Sequence, residues 1–368
     1  MLEELETPAP VVDLDRMERN LDRMAAYAAA HGLALRPHIK THKTPWLATE
    51  QLRRGAIGVT CATPREAEVM SEVAADLLVA YPAIGTAKAR RVAGLPADVR
   101  VMVALDSTRA ANDLAEAARE AGRRVGVLVE CDMGMRRVGV QTPEDAVALV
   151  RHVSARPELD YAGIAFYPGH IREPVDRQDS ALSELSHRLE GTLSALRKAG
   201  LEPRVVSGGS TPTALRTHEI PGVTEMRPGT YIYNDRTTAA IGACTMDDCA
   251  LTVLATVVST AVPGQAVIDA GSKSLGREPM RGTEGDGFGV VLDHQEVPVR
   301  GMSEEHGLLD LSSTTWRPAV GDRVCIVPNH VCIVVHLFDV VHGMRRGAVE
   351  TSWPVAARGR AAPSAVLG

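Results

Sequence analysis

Aromatic residues are scarce in this 368-residue chain: 3 Phe, 3 Trp and 6 Tyr, 3% of the total. Surfaces that bind nucleic acid stack bases on such rings and carry a basic stripe. Here the net charge is -6 and acids and bases are interspersed, so no nucleic-acid partner is expected. No apolar run approaches the ~20 residues that cross a bilayer. The start, Met1-Leu2-Glu3-Glu4-Leu5-Glu6, is acidic and lacks the basic residues and apolar core of a signal peptide. A cytoplasmic protein with no membrane partner is the expectation. No CxxC pair occurs among the six cysteines (Cys61, Cys131, Cys244, Cys249, Cys325, Cys332), which read as buried thiols or a metal ligand, not disulfides. Internal repeats of ~20–50 residues and low-complexity linkers are also missing.

What is present is an alternation. Hydrophobic content of 45% and charged content of 23% are those of a globular protein, and the length suits a large α/β barrel plus a smaller module. Leu14, Met17, Leu21 and Met24 recur at helical spacing over 14–31. Ala34–His38 reads as a short strand leading to Lys40, followed by a helix over 44–54 that stops at Gly55. Strands at 57–61, 77–80, 101–105, 125–129, 161–165, 204–207 and 225–227 then alternate with helices at 85–93, 108–121, 142–153 and 176–199. A further helix is expected after Thr63-Pro64-Arg65-Glu66, an N-cap with proline and an acid behind it. Continuous apolar strands between amphipathic helices argue for a parallel sheet, and eight such units for a (β/α)8 barrel. After residue 245 the pattern becomes β-rich, at 250–262, 265–270, 288–293, 323–327 and 331–338, with no clear helix. The expected domains are a (β/α)8 barrel over 13–245 and an all-β module over 246–368, to which residues 1–12, with Val11 and Val12, add a strand.

Five segments carry candidate chemistry. Lys40, in Arg36-Pro37-His38-Ile39-Lys40-Thr41-His42-Lys43, ends a strand, and barrel chemistry sits at strand C-termini. A lysine that bonds covalently to a carbonyl needs neighbouring cations or burial, and His38, His42 and Lys43 read as the cations. The same segment reads equally as a basic surface loop. Ser207-Gly208-Gly209-Ser210-Thr211 lies between a late strand and an expected helix, where backbone N–H groups and hydroxyls suit a phosphate, or form a plain flexible turn. Glu130–Gly139 offers a carboxylate and an arginine at another strand end, or an ion-paired loop. Tyr167 and His170 offer a hydrogen-bonding ring and an acid–base group, although a lone histidine is more often structural. His330 and Cys332, two apart on an expected strand, point to one face and form an imidazole–thiolate pair suited to zinc. Residues 81–85, 107–109 and 277–286 are the expected specificity loops at the barrel mouth.

In chain order the segments RPHIKTHK, EAEVM, VECDMGMRRVGV, YPGH, SGGSTPT, EMRPGTYIYND, DAGSKSLG, EEHG and PNHVC resemble the D-threonine aldolase/D-serine dehydratase family of fold-type III enzymes, alongside alanine racemases. The resemblance spans both modules. It implies a pyridoxal 5'-phosphate barrel, a β domain, and a homodimer with active sites near the subunit interface. It implies Lys40 as the covalent cofactor lysine, and Ser207, Gly208, Gly209, Ser210 and Thr211 as the phosphate cup, helped by Tyr231 and Asn234. Arg137 and Tyr167 would lie near the ring, and His170 would serve as a base. His330 and Cys332 would bind a divalent metal (zinc first, then Mn or Mg), with Glu305-His306-Gly307 as a second β-domain motif. The implied activity is a lyase of D-3-hydroxy amino acids: retro-aldol cleavage to glycine and an aldehyde, or elimination to a keto acid and ammonia. An amino-acid racemase and a non-catalytic carrier of the cofactor share the barrel. Ile333 stands where the family commonly has proline, and Cys332, in place of the aspartate pictured for the aldolase branch, leans toward zinc.

Overall fold

The structure, a computed structural model, describes residues 4–281 and 286–359. They form two compact units. One comprises 24–171, 177–229 and 356–359; the other comprises 4–23, 172–176 and 230–355. Compactness thus groups residues 230–245 with the β-rich part of the chain. The stretch 360–368 of the expected β module lies outside the described residues, as do 282–285 of the expected specificity loops.

The first unit is an eight-stranded parallel sheet. Chain neighbours pair through Val59–Cys61, Asp76–Val79, Arg100–Leu105, Val125–Glu130, Leu159–Ala165, Val205–Gly208 and Glu225–Met226, and the last of these pairs with Ala34–Leu35. A bridge from His38 to Thr60 and a hydrogen bond from the Ile57 amide to the Leu35 carbonyl (2.9 Å) join the two ends. The strands are short and buried on both faces, as parallel strands under helices must be. Helices Pro45–Arg53, Pro64–Met70, Thr86–Ala93, Thr108–Glu120, Pro143–Ser154 and Asp179–Lys198 fill the connections. Thr63, Ser107 and Thr142 cap three of them, each hydroxyl accepting an amide of the first turn. Two local differences matter. Ala34–Leu35 is the whole of the first strand, and Lys40 sits in a 3-10 turn, Ile39–Thr41. The Ser207–Thr211 loop leads into a 3-10 helix, Ala214–Glu219, instead of an α-helix.

The second unit is antiparallel except where Ala9–Asp13 pairs with Val340–Arg345. Leu251–Ser259, Gln265–Ile268, Gly307–Asp310, His294–Met302, Gly289–Val291 and Arg323–Pro328 pair in a closed ring. Ala9–Asp13 adds to Leu251–Ser259, as expected, and continues to Val340–Arg345 and Ala348–Pro354. The expectation of no helix here is wrong. Ser272–Leu275 is a single helical turn, and 331–338, expected as a strand, is the helix Val331–Leu337. Val331, Val334 and Val335 are buried at i, i+3 and i+4. A short apolar run rich in β-branched residues does not reveal its period, and packing overrides its strand propensity.

Candidate active site and metal pair

A cavity of about 330 Å³ opens in the parallel unit, lined by His38, Lys40, Ala62, Ala80, Tyr81, Pro82, Glu130, Arg137, Val138, Tyr167, Gly209 and Arg227. These come from seven of the eight strand ends and the turns behind them, the face on which barrels assemble their chemistry. Lys40 Nζ lies 5.5 Å from the centre of the Tyr167 ring, and the Arg137 guanidinium carbon 4.9 Å from the same centre. Tyr167 therefore stands in reach of two cations.

The positive charge around Lys40 does not come from the histidines expected to supply it. His38 is partly buried, and desolvation with the charges of Lys40, Arg227 and Lys43 holds its pKa well below the usual value. Its Nδ1 accepts the Lys40 amide at 3.5 Å. His42 is fully buried, and desolvation holds its pKa down to about 4. Burial thus favours the neutral form of both rings. Lys43 is paired with buried Glu66. The cations at the cavity are Arg137 and Arg227. Arg227 is 6% exposed, donates to Ser207 Oγ (2.5 Å) and the Phe166 carbonyl (2.8 Å), and was not anticipated. Burial lowers its pKa, opposed by Glu130 and Glu225. Burial raises the pKa of Glu130, with Arg227 and Arg137 opposing. The signal for Arg227 was its place at a strand end in EMRPGTYIYND.

The phosphate-cup residues are used unequally. Ser207 Oγ donates to Glu225 Oε1 (2.5 Å) and accepts from Arg227, so its hydroxyl is committed to the interior. A Cβ on Gly208 would come within 2.2 Å of the Phe166 ring. Gly209 takes φ +90, which favours glycine, and lines the cavity. Ser210 Oγ is 3.1 Å from Thr213 Oγ1. Thr211 Oγ1 is buried and has no hydrogen-bond partner among the described residues. An orphaned hydroxyl beside a left-handed glycine at a strand end fits a phosphate group.

Other expected residues lie elsewhere. His170 is exposed, its Nε2 2.7 Å from where a Cβ of Gly134 would be, and it is not among the cavity-lining residues. Tyr231 and Asn234 belong to the second unit. Asn234 has φ +52, and its side chain donates to the Asp248 carbonyl at 3.3 Å. Glu305 pairs with Lys273 at 2.8 Å in that unit, and His306 is exposed.

His330 precedes the helix Val331–Leu337 and Cys332 lies in its first turn, so a helical turn, not a shared strand face, brings them together. His330 Nδ1 lies 3.0 Å from Asp235 Oδ2. Burial alone would depress the ring, but the Cys332 sulfur and Asp235 raise its pKa to about 10. No group of three or more His, Cys, Asp or Glu gathers for a metal among the described residues. The donor set is one imidazole and one thiol, which suits a borderline-soft divalent ion with open positions. All six cysteines are free, and no helix of the described residues is long and apolar enough to cross a membrane.

Known proteins match over most of the chain. Residues 12–237 match the model of the alanine racemase N-terminal domain, and residues 250–344 one described as "Putative serine dehydratase domain". D-threo-3-hydroxyaspartate dehydratase of Delftia sp. (strain HT23) is 35% identical over 372 residues, 94% of this chain and 96% of that protein. The crystal structure of D-threonine aldolase from Filomicrobium marinum superposes with TM-score 0.88 and 34% identity, covering 97% of this chain and 96% of that one. A metal-free form of a D-threo-3-hydroxyaspartate dehydratase variant superposes with TM-score 0.87 and 31% identity over 98% and 99%. The chain therefore belongs to the alanine racemase N-terminal-domain family, among the members that carry a serine dehydratase domain behind the barrel.

Proposed function

We propose that the protein is a pyridoxal 5'-phosphate-dependent, divalent-metal-activated lyase of D-3-hydroxy amino acids. The observation that carries this reading is the cavity in which the Lys40 amine faces Tyr167, with Arg137, Arg227 and Gly209 in the same lining. The cofactor would supply an electron sink for the substrate's Cα, and the metal a positive charge at its 3-hydroxyl. Lys40 would hold the cofactor covalently and, when released, hold or return a proton at Cα. Gly209, Ser210 and Thr211 would bind the phosphate, with Ser207 and Gly208 shaping the loop and Tyr231 and Asn234 assisting. Arg137 and Tyr167 would orient the ring. His330 Nε2 and Cys332 Sγ would ligate the cation, zinc first.

Retro-aldol cleavage to glycine and an aldehyde is the first reading, supported by relatives named as aldolases. Elimination to a keto acid and ammonia is the second. Lys40 lines the cavity whereas His170, the base expected for retro-aldol cleavage, does not, and Cys332 stands in place of the aspartate pictured for the aldolase branch. Purified enzyme given D-threonine, D-serine and D-threo-3-hydroxyaspartate tests both. Glycine with an aldehyde supports cleavage, and keto acid with ammonia supports elimination. Neither product, with zinc or manganese added, refutes the lyase. The reading extends to a cytoplasmic homodimer, which sedimentation of the holoenzyme checks.

A further inference from the structure

Asp235 is 1% exposed and receives hydrogen bonds from two separate segments. Its Oδ1 accepts the Thr238 amide (2.9 Å) while the Asp235 amide donates to Thr238 Oγ1 (2.8 Å), closing a capping box on the helix Arg236–Ala240. Its Oδ2 faces His330 Nδ1 at 3.0 Å and accepts the Val331 amide at 3.3 Å, at the start of the helix Val331–Leu337. The next two residues grip the same neighbour. Arg236 Nη1 donates to Asn329 Oδ1 (3.2 Å), and Thr237 Oγ1 donates to the Asn329 carbonyl (2.8 Å). Three consecutive side chains thus hold the Asn329 side chain and carbonyl, the His330 ring and the Val331 amide together.

We infer that Asp235 is the positioning residue of the metal pair, holding His330 with Nδ1 toward its own carboxylate so that Nε2 is the nitrogen that ligates the cation. An imidazole has two nitrogens, and one that donates its N–H to a carboxylate has the lone pair of the other left for a metal. The buried carboxylate also makes the ring a stronger donor and removes its rotational freedom before the metal arrives. A capping role alone would explain the bonds from Thr238 and Val331, but not the approach of the ring nitrogen. The inference rests on the reading of His330 and Cys332 as metal ligands.

The test is zinc affinity of the full-length, cofactor-loaded protein, stripped of metal and titrated with zinc chloride against a chromogenic chelator. Asp235→Asn keeps a residue that caps helices but loses the charge, and it should bind zinc 10- to 100-fold more weakly. Its cobalt(II) form should show an altered d–d spectrum, while the metal-free melting temperature stays within a few degrees of the parent. Thr238→Ala, which removes the cap and a contact with the Cys244 thiol but nothing at His330, should lower the melting temperature and leave zinc affinity within about twofold. Equal affinity and an equal cobalt spectrum in Asp235→Asn overturn the inference and leave the metal pair standing. If the parent binds no zinc, or His330→Ala and Cys332→Ala bind it unchanged, the metal reading itself fails and the inference with it. Should Asp235→Asn not fold, histidine nitrogen NMR of the zinc-loaded parent decides: zinc on Nε2 with a protonated Nδ1 is expected, and zinc on Nδ1 overturns the inference.

Discussion

Arg36 Nε lies 2.8 Å from Glu225 Oε2, with each side chain 2% exposed. Arg36 also reaches Asp76 Oδ1 at 2.7 Å, and Glu225 passes the contact on through Ser207 to Arg227. A polar chain therefore runs through the interior of the parallel unit and ends on a cavity residue. Removing Glu225 leaves Arg36 with a single carboxylate and strips Ser207 and Arg227 of a shared anchor. Glu225→Ala should cost about 3–5 kcal/mol, the range for breaking a buried pair from one side. Urea unfolding of the metal- and cofactor-free protein measures it. A loss below about 1 kcal/mol would show that Asp76 alone compensates the arginine.

Lys40→Ala should purify without the visible absorbance of bound pyridoxal phosphate. Activity should fall ~10²-fold or more, since the side chain serves both as attachment and as proton carrier at Cα. The comparison is made on a variant whose metal-free melting temperature matches the parent. If the absorbance band persists unchanged, another residue carries the cofactor.

His42 gives the protein a pH dependence whose sign follows from its burial. The folded ring is held down to about 4 against an ordinary 6.5, because desolvation outweighs its bonds to Gln51 and the Thr44 amide. The folded state therefore binds this proton less readily than the unfolded state does. Stability is full above about pH 6.5 and is lost as pH falls from there toward 4, by roughly 3 kcal/mol over the window. His38, lowered in the same direction, adds to the loss. Unfolding free energies at pH 7 and pH 4.5 should differ less in His42→Asn than in the parent. An identical slope in both would remove His42 as a cause.

Much of this architecture was legible because its signals are local. The proline and acid after Thr63 announce a helix start, and the buried strands read as continuous apolar runs. Lys40, Arg137, Tyr167 and Gly209 sit at strand ends that the alternation located, and the cavity gathers them. What escaped depends on packing between distant segments. The run Val331–Leu337 has strand composition, and only the burial of every third and fourth residue makes it a helix. The neutrality of His38 and His42 is a matter of desolvation, invisible in a segment that looks uniformly basic. Arg227 and Asp235 lie within a motif already recognised, but their partners are far along the chain: Phe166 is 61 residues from Arg227, and His330 is 95 from Asp235.

Thr211 separates a phosphate cup from an ordinary turn. Its hydroxyl is buried and has no partner among the described residues, an arrangement that costs a folded protein about 1–3 kcal/mol when nothing is bound. Replacing it with valine, similar in shape and without the hydroxyl, should raise the melting temperature of the cofactor-free protein or leave it unchanged. If the hydroxyl donates to the phosphate, the same change removes a hydrogen bond to a charged group, about 1.5–3 kcal/mol, and should weaken pyridoxal phosphate binding by ~10- to 100-fold. The two effects have opposite sign, and a turn residue without a ligand would show only the first. Thermal melts of the cofactor-free protein together with fluorescence titration by pyridoxal phosphate separate the cases. Unchanged affinity in Thr211→Val would move the phosphate contact off this hydroxyl and onto the backbone around Gly209.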